Sequence, residues 1–188
     1  RDQHAPGVNF QVDMEHLNEE DRQTNLRVKK VDLILATVPL EDKGYHNHLL
    51  FEQELVVVCR ADHPRINDSI SYQQFFSEQH LQWNTLRMNL DIINSLSNER
   101  LPPRKIAYTT GSICTALMMT LQTDWISVSS LWHAKLFSKH QNIRILPLPI
   151  NLKPLPVYMT WHQSQQFDKG HLWLKKTLIE TSEGLNIK

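Results

Sequence analysis

Thr109-Thr110-Gly111-Ser112 sets three hydroxyls and a glycine between a strand-like stretch and an apolar stretch of helical period. A strand that feeds a helix N-terminus offers free amides, hydroxyls and the positive end of the helix dipole. Those groups suit a carboxylate or another small anion. A plainer reading stands beside it, because Thr110 or Ser112 can cap a helix with or without a ligand. Ser127, Ser129 and Ser130 end the next apolar run and carry the same two readings, cleft lining or a cap for the helix starting at Leu131. Val38 and Pro39 follow an earlier strand, where they would give an opposing wall its shape rather than its chemistry.

Other reactive residue types are present without a working arrangement. His46 and His48 lie two apart on an expected strand and so share a face, but no third metal ligand accompanies them, and ten scattered histidines produce such pairs by chance. No metal site and no cofactor is expected. Cys59 stands beside Arg60, and an electropositive, partly exposed setting would make a thiol reactive. Cys59 and Cys114 fit no metal or redox spacing, and buried structural cysteines are the better reading. The five glycines, at 7, 44, 111, 170 and 184, are too dispersed for a phosphate loop or a dinucleotide fingerprint. No nucleophile elbow and no zinc-protease motif occurs. The sequence advertises no catalysis.

The elements that must position these residues alternate between strand and helix, which favours an α/β architecture. Strands are expected over 8–14, 31–38, 80–83, 105–109, 125–128, 143–148 and 157–161, with a paired set over 46–59. Helices are expected from Asn18 to about Val28, then over 71–78, 88–96, 112–121 and 130–138. A last amphipathic helix starts near Phe167, has Asp168 as its cap, and places Phe167, His171, Leu174 and Leu178 on one face. Trp161 reads as core and His162 as surface. Residues 55–59 form an apolar β-branched run, the mark of a strand covered on both faces. Arg60, Asp62 and His63-Pro64 end it abruptly.

That exit and a second stiff passage, Pro147 to Pro156, divide the chain. A first lobe over 1–60 and 154–188 would be discontinuous, with a second lobe over 65–150 inserted into it. Cys59 and Arg60 would then belong to the hinge, and a ligand cleft would lie between the lobes. At 188 residues, with 40% hydrophobic content, the chain is long enough for two small lobes. Lys+Arg 20 balances Asp+Glu 20, and no basic cluster marks a free-standing nucleic-acid binder. No apolar run approaches a membrane-spanning length.

Several blocks together resemble the effector-binding domain of LysR-type transcriptional regulators. They are Val31-Asp32-Leu33-Ile34-Leu35-Ala36, the run from Leu50 to Val58, His63-Pro64, and Ile145-Leu146-Pro147-Leu148-Pro149. Tyr158-Met159-Thr160-Trp161-His162 and the stretch from Asp168 to Trp173 look most like the branch of LeuO and the nodulation regulators. The resemblance implies two Rossmann-like lobes joined by two crossover strands, similar to type 2 periplasmic binding proteins. It implies a small-molecule effector, possibly anionic, between the lobes, lined by Val38, Pro39, Thr109 to Ser112, Ser127 and Ser129. It also implies a dimer or tetramer in which helices near 18–28 and 112–121 meet across a two-fold axis, with Met118 and Met119 at that surface or in packing. DNA contact would come only through an N-terminal winged helix-turn-helix that these residues do not contain. The family's first strand and most of its first helix would likewise precede Arg1. Lys29-Lys30 departs from the family, where a glycine often precedes the strand.

The leading expectation is therefore the sensing and oligomerising domain of a bacterial, cytoplasmic transcription factor, with no membrane partner and no catalysis. The alternative is a solute-binding protein of a transport system with the same bilobal fold. An upstream winged helix would favour the first and a secretory leader the second. An enzyme with a cryptic Cys-His site is the weakest reading.

Overall fold

The computed structural model describes residues 8–13, 18–83 and 91–184. Its frame is two sheets. A three-stranded antiparallel sheet has β8 (Leu155–His162) at its centre, flanked by β1 (Ile34–Ala36) and β2 (Tyr45–Gln53). A five-stranded mixed sheet runs in the order β5 (Lys105–Thr110), β4 (Gln79–Trp83), β6 (Ile126–Ser130), β3 (Leu55–Arg60), β7 (Ile143–Pro147). Helices cover both: α1 (Glu19–Arg27), α2 (Tyr72–Ser77), α3 (Ile92–Leu96), α4 (Ile113–Thr120), α5 (Leu131–Ser138) and α6 (Lys169–Gly184).

The apolar run in β3 behaves as its composition demands. Leu55 to Cys59 are all buried, and alternation sends them to two cores. Leu55, Val57 and Cys59 join Ile66, Phe75, Ile93, Ile126 and Leu146, while Val56 and Val58 join Leu117 and Ala134 under α4 and α5. Each fully buried aliphatic side chain contributes about 1.5–3 kcal/mol through removal from water.

Helix starts follow capping chemistry. The side chains of Asn18, Ser71, Asp91, Ser112 and Ser130 each accept a backbone N–H of the following first turn. Asp168 does the same for α6, with Oδ1 accepting from His171 N at 2.8 Å. At the other end of α1, Lys29 has φ 58°. Lys30 N donates to Asn25 O at 2.9 Å, the reverse turn that glycine usually makes at a helix end. The lysine that departs from the family pattern thus makes the same tight turn with a strained backbone.

Four expectations are corrected. The strand over 46–59 is not one pair: β2 pairs with β8, and β3 pairs with β6 and β7, so the chain changes sheets at Glu54. The strand over 31–38 shrinks to three residues. With β8 on one edge and no strand on the other among the described residues, it is half-exposed rather than buried, and Leu35 is 52% accessible. Residues 8–13 form no strand and leave Val8, Phe10 and Val12 exposed, because alternation without a neighbouring strand gains no ladder; Met14 lies outside the described residues. The last helix begins after Phe167, which is 88% exposed, and its buried stripe is His171, Lys175 and Ser182. The helix expected over 88–96 is present over Ile92–Leu96, and Met88 to Leu90 fall outside the described residues.

Candidate functional site at the facing sheet ends

Strand directions decide which loops meet. Leu55, the first residue of β3, pairs with Ser130, the last of β6, and β4 and β5 run parallel to β6. The C-terminal ends of β4, β5 and β6 therefore all point back toward the crossing at Glu54. In the other sheet β1 pairs Ile34 with Thr160 and Ala36 with Tyr158, so it runs toward Leu155, where the second crossing enters β8. The loop after β1, with Val38 and Pro39, and the end of β5 with the turn that follows it, Thr109 to Ser112, thus both lie at the crossing ends of their sheets. That is where open α/β sheets bind ligands.

Each wall is held by specific hydrogen bonds. Arg22, buried on α1, donates from Nη1 to Val38 O at 2.8 Å. Asn47 on β2 brackets Leu40: its Nδ2 donates to Leu40 O at 2.8 Å, and its Oδ1 accepts from Leu40 N at 3.1 Å and from Thr160 Oγ1 at 2.7 Å. Opposite, Ser112 N donates to Thr110 Oγ1 at 3.2 Å, and Ser112 Oγ accepts from Thr115 N at 3.3 Å. Thr109 and Ser112 are exposed, and Thr110 and Gly111 partly so. Capping and exposure coexist at this turn.

Ser127 and Ser129 are placed differently from expectation. Both are fully buried in β6, where Ser127 Oγ donates to Leu81 O at 3.2 Å and Ser129 Oγ to Ser130 O at 3.2 Å. Their alternation with Ile126 and Val128 sends them beneath the helices, not into the interlobe space. Ser130 caps α5, and its hydroxyl lies 2.6 Å from His133 Nδ1. Burial lowers the His133 pKa, which favours the neutral ring.

Cys59 and Arg60 are also displaced from the expected hinge, because the chain changes sheets at Glu54, at the opposite end of β3. Cys59 is completely buried, and desolvation pushes its thiol up to about 11, the reverse of an activated thiolate. Both cysteines are free, and Cys114 is exposed on α4. Arg60 ties the far end of the five-stranded sheet, 2.7 Å from Asp124 and 2.8 Å from Asp62. Arg65 adds Glu78 at 2.8 Å. The Arg60 guanidinium, hydrogen-bonded to Asp124, holds that carboxyl below its usual range. The hollow beside them, lined by Arg65, Glu78, Gln79 and Asp124, is filled with mutually paired charge.

His46 stacks on Trp161 with centroids 5.6 Å apart, and Lys175 Nζ lies 4.3 Å from the centre of the same indole. Among the described residues no three His, Cys, Asp or Glu side chains converge as a metal site. Arg22, Asn47 and Trp83 were not singled out from the sequence. Trp83 Nε1 donates to Val128 O at 2.7 Å where β4 diverges from β6. The one available signal was Arg22, spaced four residues from Leu26 on the inward face of α1.

The comparisons agree with this geometry. Residues 2–182 match the model of the LysR substrate binding domain, and the chain belongs to that family. It is 24% identical over 164 residues to the HTH-type transcriptional regulator LeuO of Escherichia coli (strain K12), covering 85% of this chain and 51% of LeuO. A probable transcriptional regulator from Pseudomonas aeruginosa, PA0477, superposes with a TM-score of 0.75 at 22% identity, over 94% of this chain and 55% of that one. The effector binding domain of QuiR, solved in complex with shikimate, gives 0.68 at 17% identity over 87% and 78%. The fold is the two-lobed, periplasmic-binding-protein-like α/β fold with two crossovers. The chain spans about half the length of the curated relatives it matches. Those relatives are regulators, and the solute-transport reading is not favoured. No helix among the described residues is long and apolar enough to cross a membrane.

Proposed function

We propose that this chain is the effector-sensing and oligomerising part of a cytoplasmic LysR-type DNA-binding regulator, and that it binds a small anion between its lobes without catalysing a reaction. What supports this reading is that two built segments both lie at the crossing ends of their sheets: Val38-Pro39, held through Arg22 and Asn47, and Thr109 to Ser112, leading into α4. The first supplies shape and the second supplies amides, hydroxyls and a helix dipole. Strand membership supports lobes that part at Glu54 and at the passage leading into β8, with β3 in the second lobe. Ser127 and Ser129 act in this reading as internal support for the sheet behind the cleft. DNA contact belongs to a segment outside this chain.

Self-association through α1 and α4 is supported by the exposed face of α4, where Met118 is 51% accessible and Cys114 is open to solvent. A melting screen against small carboxylates, shikimate included, tests the ligand reading. A true effector raises Tm in proportion to the logarithm of its concentration. Gly111→Asp, which puts a carboxylate into the anion site, should remove that rise. A stabilising carboxylate whose effect survives Gly111→Asp would contradict the assignment.

A further inference from the structure

A second concavity lies at the crossings and shares no lining residue with the candidate cleft. It is a groove of about 850 Å³ formed by the end of β2, the passage from β7 to β8, and the last turn of α6. Ligand sites typically span about 300–1,000 Å³. Its apolar lining includes Phe51, Leu148, Ile150 and Leu152, of which the last three also pack against the larger core. Among the described residues its charge is one-sided: Glu52, Glu54 and Glu183 line it against a single cation, Lys153. The C-terminal end of the 16-residue helix α6, where the helix dipole is negative, adds to the same potential.

The groove is held in shape by backbone ties. Glu54 O accepts from Leu131 N at 2.8 Å, and Lys153 N donates to Leu96 O at 2.9 Å. Both crossings are thereby anchored to helices of the second lobe, while Glu52 and Glu183 belong to β2 and α6 of the first. We propose that this groove is a second ligand site for a small organic cation with an apolar body, such as an arylalkylamine. The hydrocarbon part would rest on Phe51 and Leu148 and the ammonium would lie among the glutamates. A ligand that touches both lobes beside the two crossings would restrain the angle between them, and so tune the cleft.

The test is a titration of the whole chain with 2-phenylethylamine, using 2-phenylethanol and phenylacetate as neutral and anionic molecules of similar body. The amine should bind saturably and more tightly than either control. Glu54→Gln with Glu183→Gln should weaken it roughly fivefold to tenfold, the scale of two exposed charge contacts. Both glutamates are exposed, so the folded state tolerates the change. Gly111→Asp should leave amine binding intact. Equal binding of amine and alcohol, no saturable binding, or affinity unchanged in the double variant would each overturn the proposal. Loss of amine binding in Gly111→Asp would assign it to the cleft and overturn it as well.

Discussion

His80 is a buried side chain whose protonation is linked to folding. It is completely buried, its Nε2 donates to Phe75 O at 2.7 Å, and its Nδ1 has no partner among the described residues. Burial lowers its pKa from 6.5 to about 4, so the folded state holds it neutral. Unfolding frees it to take a proton below about pH 6.5, and the stability it protects is present above that value and lost as pH falls toward 4. Chemical denaturation at pH 7.5 and pH 5 should show a drop of up to about 2 kcal/mol from this residue. His80→Phe should reduce that drop, and an unchanged difference would contradict it. Lys29 gives a second prediction. A non-glycine residue in the left-handed region is strained, so Lys29→Gly should stabilise the domain by about 0.5–1 kcal/mol in the same assay. The helix end was legible in the sequence. The conformation of Lys29 was not, because lysine carries no signal for positive φ.

At the scale of elements, legibility tracked burial. β3 was readable because an apolar β-branched run covered on both faces leaves no competing pattern. β1 was overestimated because its apolar residues look the same whether one edge or both are paired. Ser127 and Ser129 were misread for a related reason: serine at a strand end looks polar and accessible, yet each hydroxyl satisfies a neighbouring carbonyl inside the sheet. Asn47 was invisible since its role depends on Leu40 and Thr160 arriving beside it. Asn47→Ala should cost about 1–2 kcal/mol and speed amide exchange at Leu40, whose N–H loses its acceptor. Ser112→Ala should cost about 1 kcal/mol through loss of the α4 cap. Its melting curve is a control that separates capping from ligand contact.

The whole molecule depends on how two sheets are joined. The sequence marked both passages by composition but put the first at Arg60, where charge ends the apolar run. The structure puts it at Glu54, one residue after β2 ends, because β3 already belongs to the second sheet. Arg60 instead ties the far end of that sheet through Asp62 and Asp124. Moving the crossing to Glu54 separates it from Cys59, which is buried in the second sheet.

An effector held between the lobes would engage both of them at once. Hydrogen exchange measured with and without a stabilising carboxylate addresses it directly. Protection should rise together in the turn from Thr109 to Ser112 and in the loop from Val38 to Leu40. Protection confined to one lobe, or absent from both loops, would contradict the account.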